Sequence, residues 1–554
     1  MFSKAYGAAI QGIDALLVQI EADVSDGLPG FELVGFLASE VREAKERVRV
    51  AIHNAGIALP PKRITVNLSP ADVRKEGTAF DLPIAIAILA AFGHIPEENL
   101  NRTIFAGELS LDGRLNPVNG VLPIACCAKE AGFLRLFVPA ANRTEGRLVP
   151  GLAVWGCGGL AQVLRALRGE SEEDGESDGF GPQADSAEKV PCFFAGSDVR
   201  HNGAGKKASD AGTISGYRGG RAFPCADGIS GGEENSAGQP DFADICGQTA
   251  AKRAIEIAVA GGHNLLFAGS PGSGKTMLAR RIPTIMPELS QEESLELSKI
   301  YSVSGRMGIR GSLIRTRPFC APHHTITQAA MAGGGSRPKP GEISLATHGV
   351  LFLDEFAEFD RRTLEMLRQP LEERKITVDR VAASCDYPAS FMLVAAMNPC
   401  PCGAYPDRNL CRCTEPQIRR YQSRISRPIL DRIDLFVQVS PVSYTELMQR
   451  EVQENSARIR ERVCRAREIQ KKRYEGLGLR TNAELSARQL ELFCPLGEEE
   501  LAVMKEAFYR YRLSARSYHR IVRTARTIAD LAGCEEIGAE QLCEALAYRR
   551  RVCE

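Results

Sequence analysis

No stretch of this 554-residue sequence stays apolar for anything near the ~20 residues that cross a bilayer, so it offers no membrane-spanning helix. Neither charge is in excess: 69 Lys+Arg stand against 69 Asp+Glu, a formal net charge of zero. Global charge therefore argues neither for nor against a nucleic-acid partner, and only local patches can decide. The first residues, "MFSKAYGAAIQGIDALL", lack the apolar core of a signal peptide, so we expect a cytoplasmic protein. No clear internal repeat is present. Cysteine is plentiful, at 17, but the number is odd and most are scattered. In a reducing compartment they read as buried thiols rather than a disulfide framework.

What is there looks globular. Hydrophobic residues make up 44% and charged residues 25%, and the length suffices for three or four domains. Residues 1–168 read as one α/β domain: "RVRVAIHNAGIAL" as an amphipathic helix, "KRITVNLSP" as a strand, "AFDLPIAIAILAAFG" as an apolar helix, "RLFVPA" as a short strand. Residues 169–240 are rich in Gly, Ser and acidic side chains and poor in large apolar ones, so a disordered linker is expected. From 241 to 440 short apolar strands alternate with helices, the pattern of a parallel sheet. Residues 441–554 read as helical, with "YTELMQREVQENSARIRERVCRAREIQKKRYEGLG" as one long basic helix.

"GSPGSGKT" comprises Gly269, Ser270, Pro271, Gly272, Ser273, Gly274, Lys275 and Thr276, and fits G-x-x-x-x-G-K-[ST] between a strand and a helix. Its glycines let backbone N–H groups curl around a phosphate, Lys275 neutralises charge, and Thr276 can ligate Mg²⁺. "GVLFLDE" adds a buried strand that delivers two carboxylates at its C-terminal end, where ligands bind in such sheets. Asp354 suits the Mg²⁺ shell and Glu355 the attacking water. Asn398, closing the apolar run "VAAMN", can both donate and accept between a γ-phosphate and that water. ATP and Mg²⁺ are the expected cofactors.

Behind Asn398 runs "CPCGAYPDRNLCRC". Cys400, Cys402, Cys411 and Cys413 supply four thiolates, a set suited to a structural, tetrahedral Zn²⁺. The C-x-C spacing is tighter than usual, and the eight-residue loop between the pairs can fold back to join them. His323 and His324, in "APHHT", could bind metal or read γ-phosphate, but neighbours on a strand point to opposite faces, so one packed and one exposed is expected. His263 reads as structural.

Together "GSPGSGKT", "GVLFLDEF", "AAMNPCPCG", "SRPILDRIDL" and "LSARSYHRIVRTARTIADL" resemble the magnesium-chelatase-like AAA+ ATPases of the YifB/ComM type, and "RKEGTAFDLPIAIAIL" and "APHHT" match as well. The resemblance implies an α/β chain with an N-terminal Lon-protease-like domain, an AAA+ P-loop parallel-sheet core and a C-terminal helical lid. It also implies a homo-oligomer, a hexameric ring with nucleotide between subunits, in which Arg432 is an arginine finger and Arg516 the sensor-2 arginine. A guanidinium in either role spreads charge over phosphate oxygens in the transition state. Against the Lon pattern, Ala79 stands where the nucleophilic serine falls, and no lysine stands near Leu122, so acyl transfer lacks its dyad. Cys320 in "RPFC" replaces an arginine of the family pattern, and Arg427 in "SRP" replaces a glycine.

The resemblance implies a DNA motor of the helicase or branch-migration type. A chelatase-like motor working with a partner subunit and a protein-remodelling ring are the alternatives. Basic loops favour DNA: Arg306, Arg310, Arg315 and Arg317, then Arg337 and Lys339, and a hairpin expected to carry Arg374 and Lys375 at its tip. No aromatic residues interleave these charges, so base stacking is not indicated. No integrin-like domain of the chelatase complexes is appended.

Overall fold

The computed structural model describes residues 1–169, 240–307, 312–335, 339–379, 384–442, 448 and 453–549. Of the expected linker, residues 170–239 lie outside that set, as do Arg310 and Arg337 among the basic residues named above.

The N-terminal domain is built on a hairpin of β1 (Phe2–Gln11) and β2 (Asp14–Ser25), joined by β3 (Gly30–Val34) and β4 (Arg63–Ser69) in the order β1-β2-β4-β3. A second, parallel sheet contains β5 (Thr103–Phe105), β6 (Arg135–Pro139) and β7 (Ala153–Cys157). Helix α1 (Ser39–Asn54) buries Val41, Ala44, Val48, Ala51 and Ile52, one stripe at helical spacing. Helix α2 (Asp81–Ala91) is buried all round, which is why its sequence shows no polar face. Its one charge, Asp81, is held by Arg47 at 2.8 and 2.9 Å. Helix α3 is Val121–Glu130.

The second sheet-bearing region has α4 (Thr249–Gly261), β8 (Leu265–Ala268), α5 (Lys275–Ile285), α6 (Gln291–Ser304), β9 (Phe319–Cys320), β10 (Val350–Leu353), a hairpin of β11 (Lys375–Asp379) and β12 (Ser384–Pro388), then β13 (Met392–Met397), α7 (Glu415–Gln422) and β14 (Leu435–Gln438). Its five-stranded sheet is wholly parallel, in the order β9-β10-β13-β8-β14. Alternate residues of one strand serve different cores: Leu265 and Phe267 pack with α4 and α5, whereas Leu266 and Ala268 pack with Ile300, Leu351 and Leu393. Burial on both faces explains the unbroken apolar runs.

The C-terminal helices include α8 (Ser456–Arg473), α9 (Ala515–Ala532) and α10 (Ala539–Ala547). The expected long basic helix is shorter than read. Asn455 caps α8 by accepting from Arg458 N, so this helix begins at Ser456; residues 443–447 and 449–452 of the expected span lie outside the described set.

The two sheet-bearing regions meet along α6. Buried Glu145 accepts from Leu122 N (3.0 Å), Asn142 Nδ2 (3.2 Å) and Ser302 Oγ (2.5 Å), the last across the joint. Gly120 N donates to Ser302 O at 3.2 Å. Ala79 and Leu122, the positions where a Lon-type dyad would stand, belong to one apolar cluster with Leu295, Met307 and Leu313.

Candidate functional site

The phosphate loop leaves β8 and enters α5 through Gly272 and Gly274, with φ of +77° and +89°; a Cβ at either would meet nothing, but the backbone needs glycine. Lys275 opens α5. Its Nζ donates to Gly269 O (2.7 Å), Ser270 O (2.8 Å) and Asn398 Oδ1 (3.3 Å). Burial lowers its pKa, against the pull of Asp354. The hydroxyls of Ser270 and Ser273 are buried without hydrogen-bond partners. A loop with its ammonium folded onto its own carbonyls and two orphaned hydroxyls fits an anionic phosphate chain.

Thr276 Oγ1 donates to Asp354 Oδ2 at 2.7 Å, so the hydroxyl and carboxylate that would share Mg²⁺ are already together. Asp354 and Glu355 follow β10, and Asn398 follows β13, its neighbour in the sheet. Lys275, Thr276, Asp354, Glu355 and Asn398 thus converge at the carboxyl ends of adjacent strands.

Glu355 holds a left-handed backbone, φ +50°, and its side chain is 56% exposed. Its Oε2 lies 3.0 Å from His324 Nδ1. The sequence reading missed this pair. It also placed His323 and His324 on opposite faces of a strand, which the structure corrects. The segment is a turn, and the two rings lie side by side with centroids 4.1 Å apart. The segment "APHHT" marks His324, but nothing local names its partner, which lies 31 residues away in sequence.

Arg432 and Arg516 are not among the groups bonded here. Arg432 is 4% exposed, donates to Pro428 O (2.6 Å) and pairs with Glu372, and its buried Nε has no partner. Arg516 stands exposed in the first turn of α9. Arg427 is exposed, whereas Cys320 is buried in the edge strand β9.

The hairpin also needs correction. Arg374 and Lys375 lie at its base, because β11 starts at Lys375 and its ladder with β12 runs on to the Asp379–Ser384 pair; residues 380–383 between these lie outside the described set. Arg374 bonds Glu484 at 2.9 Å and Lys375 bonds Asp386 at 2.9 Å. Arg317 is likewise engaged, with Glu293 at 3.1 Å. Lys339 is exposed and faces Gly334 in a short antiparallel ladder.

The four cysteines come together. Their Sγ atoms all lie within 4.8 Å of one another, with Cys400–Cys402, Cys402–Cys411 and Cys400–Cys411 at 3.4, 3.6 and 3.8 Å. A tetrahedron with Zn–S bonds of about 2.3 Å has edges of about 3.8 Å, so the set fits zinc. The Cys402 thiol is pulled down to about 6, chiefly by the Ala404 N–H and then by Cys400 and Cys413.

A phosphate loop and paired carboxylates on this strand order define a P-loop protein of the AAA+ class. Comparisons with known proteins narrow it. The family described as magnesium chelatase, subunit ChlI, matches residues 241–447, and those for the ChlI subunit and its C-terminal region match 20–142 and 453–549. Competence protein ComM of Haemophilus influenzae is 41% identical over 549 residues, 99% of this chain and 97% of that one. YifB of Escherichia coli is 39% identical over 543 residues, 98% and 96% of the two chains. A Lon protease of Mycolicibacterium smegmatis is 28% identical over 153 residues, 26% of this chain and 19% of its own. The chain belongs to the YifB/ComM family of magnesium-chelatase-like AAA+ proteins. Among the described residues no helix is long and apolar enough to cross a membrane.

Proposed function

We propose that this protein is a ring-forming ATPase, a hexamer in the cytoplasm, that couples ATP hydrolysis to DNA remodelling of the helicase or branch-migration type. The observation that carries the ATPase reading is the convergence of Lys275, Thr276, Asp354 and Asn398, with Glu355 at its edge. Lys275 exchanges its loop carbonyls for β/γ-phosphate oxygens. Thr276 and Asp354 hold Mg²⁺, which when bound neutralises charge developing on those oxygens. Glu355 orients and polarises the attacking water, Asn398 bridges that water and the γ-phosphate, and His324 fixes the carboxylate's direction. Arg516 contacts phosphate from the lid. Arg432 serves a neighbouring subunit, which requires its buried guanidinium to turn from Glu372 and Pro428 towards that subunit's site. The four cysteines hold one structural Zn²⁺.

The DNA reading is supported by exposed Lys339, by Arg337 beside it in sequence, and by similarity to a relative named as a competence protein. Lys375 contributes only by leaving Asp386, and Arg374 is committed to Glu484. A second reading, a chelatase-type motor acting with a partner, is favoured by the match to magnesium chelatase subunit ChlI. ATPase rates without DNA and with single-stranded, duplex and branched DNA separate the two. Stimulation by DNA that weakens with salt supports the first reading, and rates indifferent to all DNA reject it.

A further inference from the structure

The four-cysteine knuckle lies against the phosphate loop. Gly403, at φ +80°, approaches so closely that a Cβ placed there would collide with the Pro271 ring. Pro271 is the third residue of the phosphate loop. The same knuckle begins two residues after Asn398, whose side chain bonds Lys275. Gly269 N donates to Met397 O at 3.2 Å, and Gln422 Nε2 ties Pro399 O to α7 at 3.0 Å. Three links therefore join the cysteine segment to the nucleotide site: the Gly403–Pro271 contact, the Asn398–Lys275 bond and the Met397–Gly269 bond.

Beyond backbone bonds such as Cys411 N to Asp407 O and the exposed Arg408–Glu415 pair, the knuckle has little apolar packing to keep its shape. Its own apolar cluster holds only Cys400, Cys411 and Ile418 as buried members, flanked by Ala404, Tyr405 and Cys413. So few side chains cannot repay the ordering of fourteen residues, Cys400–Cys413, at about 1–2 kcal/mol of backbone entropy each. Metal–thiolate bonding supplies what the apolar core lacks, as in other small metal-held loops.

We propose that the metal-loaded knuckle is the outer wall of the phosphate loop, so that ATP affinity depends on occupancy of the four-cysteine site. With the ion bound, Gly403 holds Pro271 and the segment from Asn398 onward keeps its exit direction. With the ion lost, Pro271 loses its backing and the loop's N–H groups no longer converge. The inference rests on the zinc and nucleotide readings above, and its test separates them.

The full chain is measured as isolated, after chelation and desalting into magnesium, and as Cys411→Ser and Gly403→Ala variants. Elemental analysis reads the metal, circular dichroism the fold, and titration with a fluorescent non-hydrolysable ATP analogue the affinity. The parent is expected to carry about one zinc per chain. Chelated parent and Cys411→Ser are expected to bind the analogue at least tenfold more weakly, with restoration when zinc is returned to the chelated parent. Gly403→Ala is expected to keep its zinc and still bind several-fold more weakly, because its methyl group displaces Pro271. Chelated parent that keeps its fold and full affinity overturns the inference while leaving the zinc reading intact. Isolated parent without zinc overturns both. Should Cys411→Ser precipitate, the chelated parent and Gly403→Ala decide. A parent that does not bind the analogue rejects the nucleotide reading itself.

Discussion

In the reaction proposed above, two side chains divide the chemistry. Lys275 meets phosphate, so Lys275→Ala is expected to lose nucleotide binding, read by the same fluorescent titration. Glu355 meets water, so Glu355→Gln is expected to bind the analogue like the parent and to hydrolyse ATP ~10²–10⁴-fold more slowly in steady-state assays. Parent-like turnover of Glu355→Gln would place the base elsewhere. His324 contacts the Glu355 carboxylate, so its effect is expected on that group's orientation. His324→Ala is expected to lower kcat by roughly tenfold to a hundredfold with analogue affinity unchanged. A fall in affinity instead would make His324 a phosphate contact.

Between elements, the buried polar joints are where the fold is most sensitive. His263, in the turn from α4 to β8, is fully buried and its Nε2 shares a 2.8 Å hydrogen bond with Thr527 Oγ1 of α9. Burial pushes it down to about 4, against the attraction of Asp434 and with help from Arg523, Arg467 and Arg520. The unfolded chain titrates near pH 6.5, so it takes a proton there that the folded chain refuses. Stability is therefore complete above about pH 6.5 and declines as pH falls towards about 4, by up to ~3 kcal/mol from this group. His263→Asn is expected to be less stable than the parent at pH 7.5, and the gap should narrow at pH 5 in thermal melts. A gap constant with pH would show that His263 packs without titrating. The Glu145–Ser302 bond is the corresponding joint between the N-terminal domain and α6. At the same joint the apolar cluster that contains Ala79 and Leu122 receives Leu295, Met307 and Leu313.

At the scale of the proposed ring, the role assigned to Arg432 can be tested by mixing variants. Arg432→Ala keeps its own phosphate loop, whereas Lys275→Ala keeps its arginine. Each variant alone is expected to be inactive, since fingers are worth ~10³–10⁵ in rate in phosphoryl transfer. Mixed rings of the two should recover part of the ATPase activity, because some interfaces then pair an intact loop with an intact arginine. Mixtures shown by light scattering to assemble, yet wholly inactive, would mean that Arg432 works within its own chain. That is the arrangement in which Glu372 and Pro428 hold it in the single chain.

The amino-acid order alone determined what depends on near neighbours. The phosphate loop, the Asp354–Glu355 pair at a strand end and the four cysteines are each written within one short segment. Backbone stiffness and strand periodicity carry such segments to the same local shape. Alternation of apolar strands with helices likewise made the parallel sheet legible. Tertiary structure decided everything that joins distant segments: His324 to Glu355, Gly403 to Pro271, Glu145 to Ser302, Arg374 to Glu484 and Arg432 to Glu372. Of the last two, Arg432 is buried, and Arg374, still exposed, is held in an ion pair. A charge written in the chain is only an available group, and its partner is chosen by which elements the buried sheet brings alongside it.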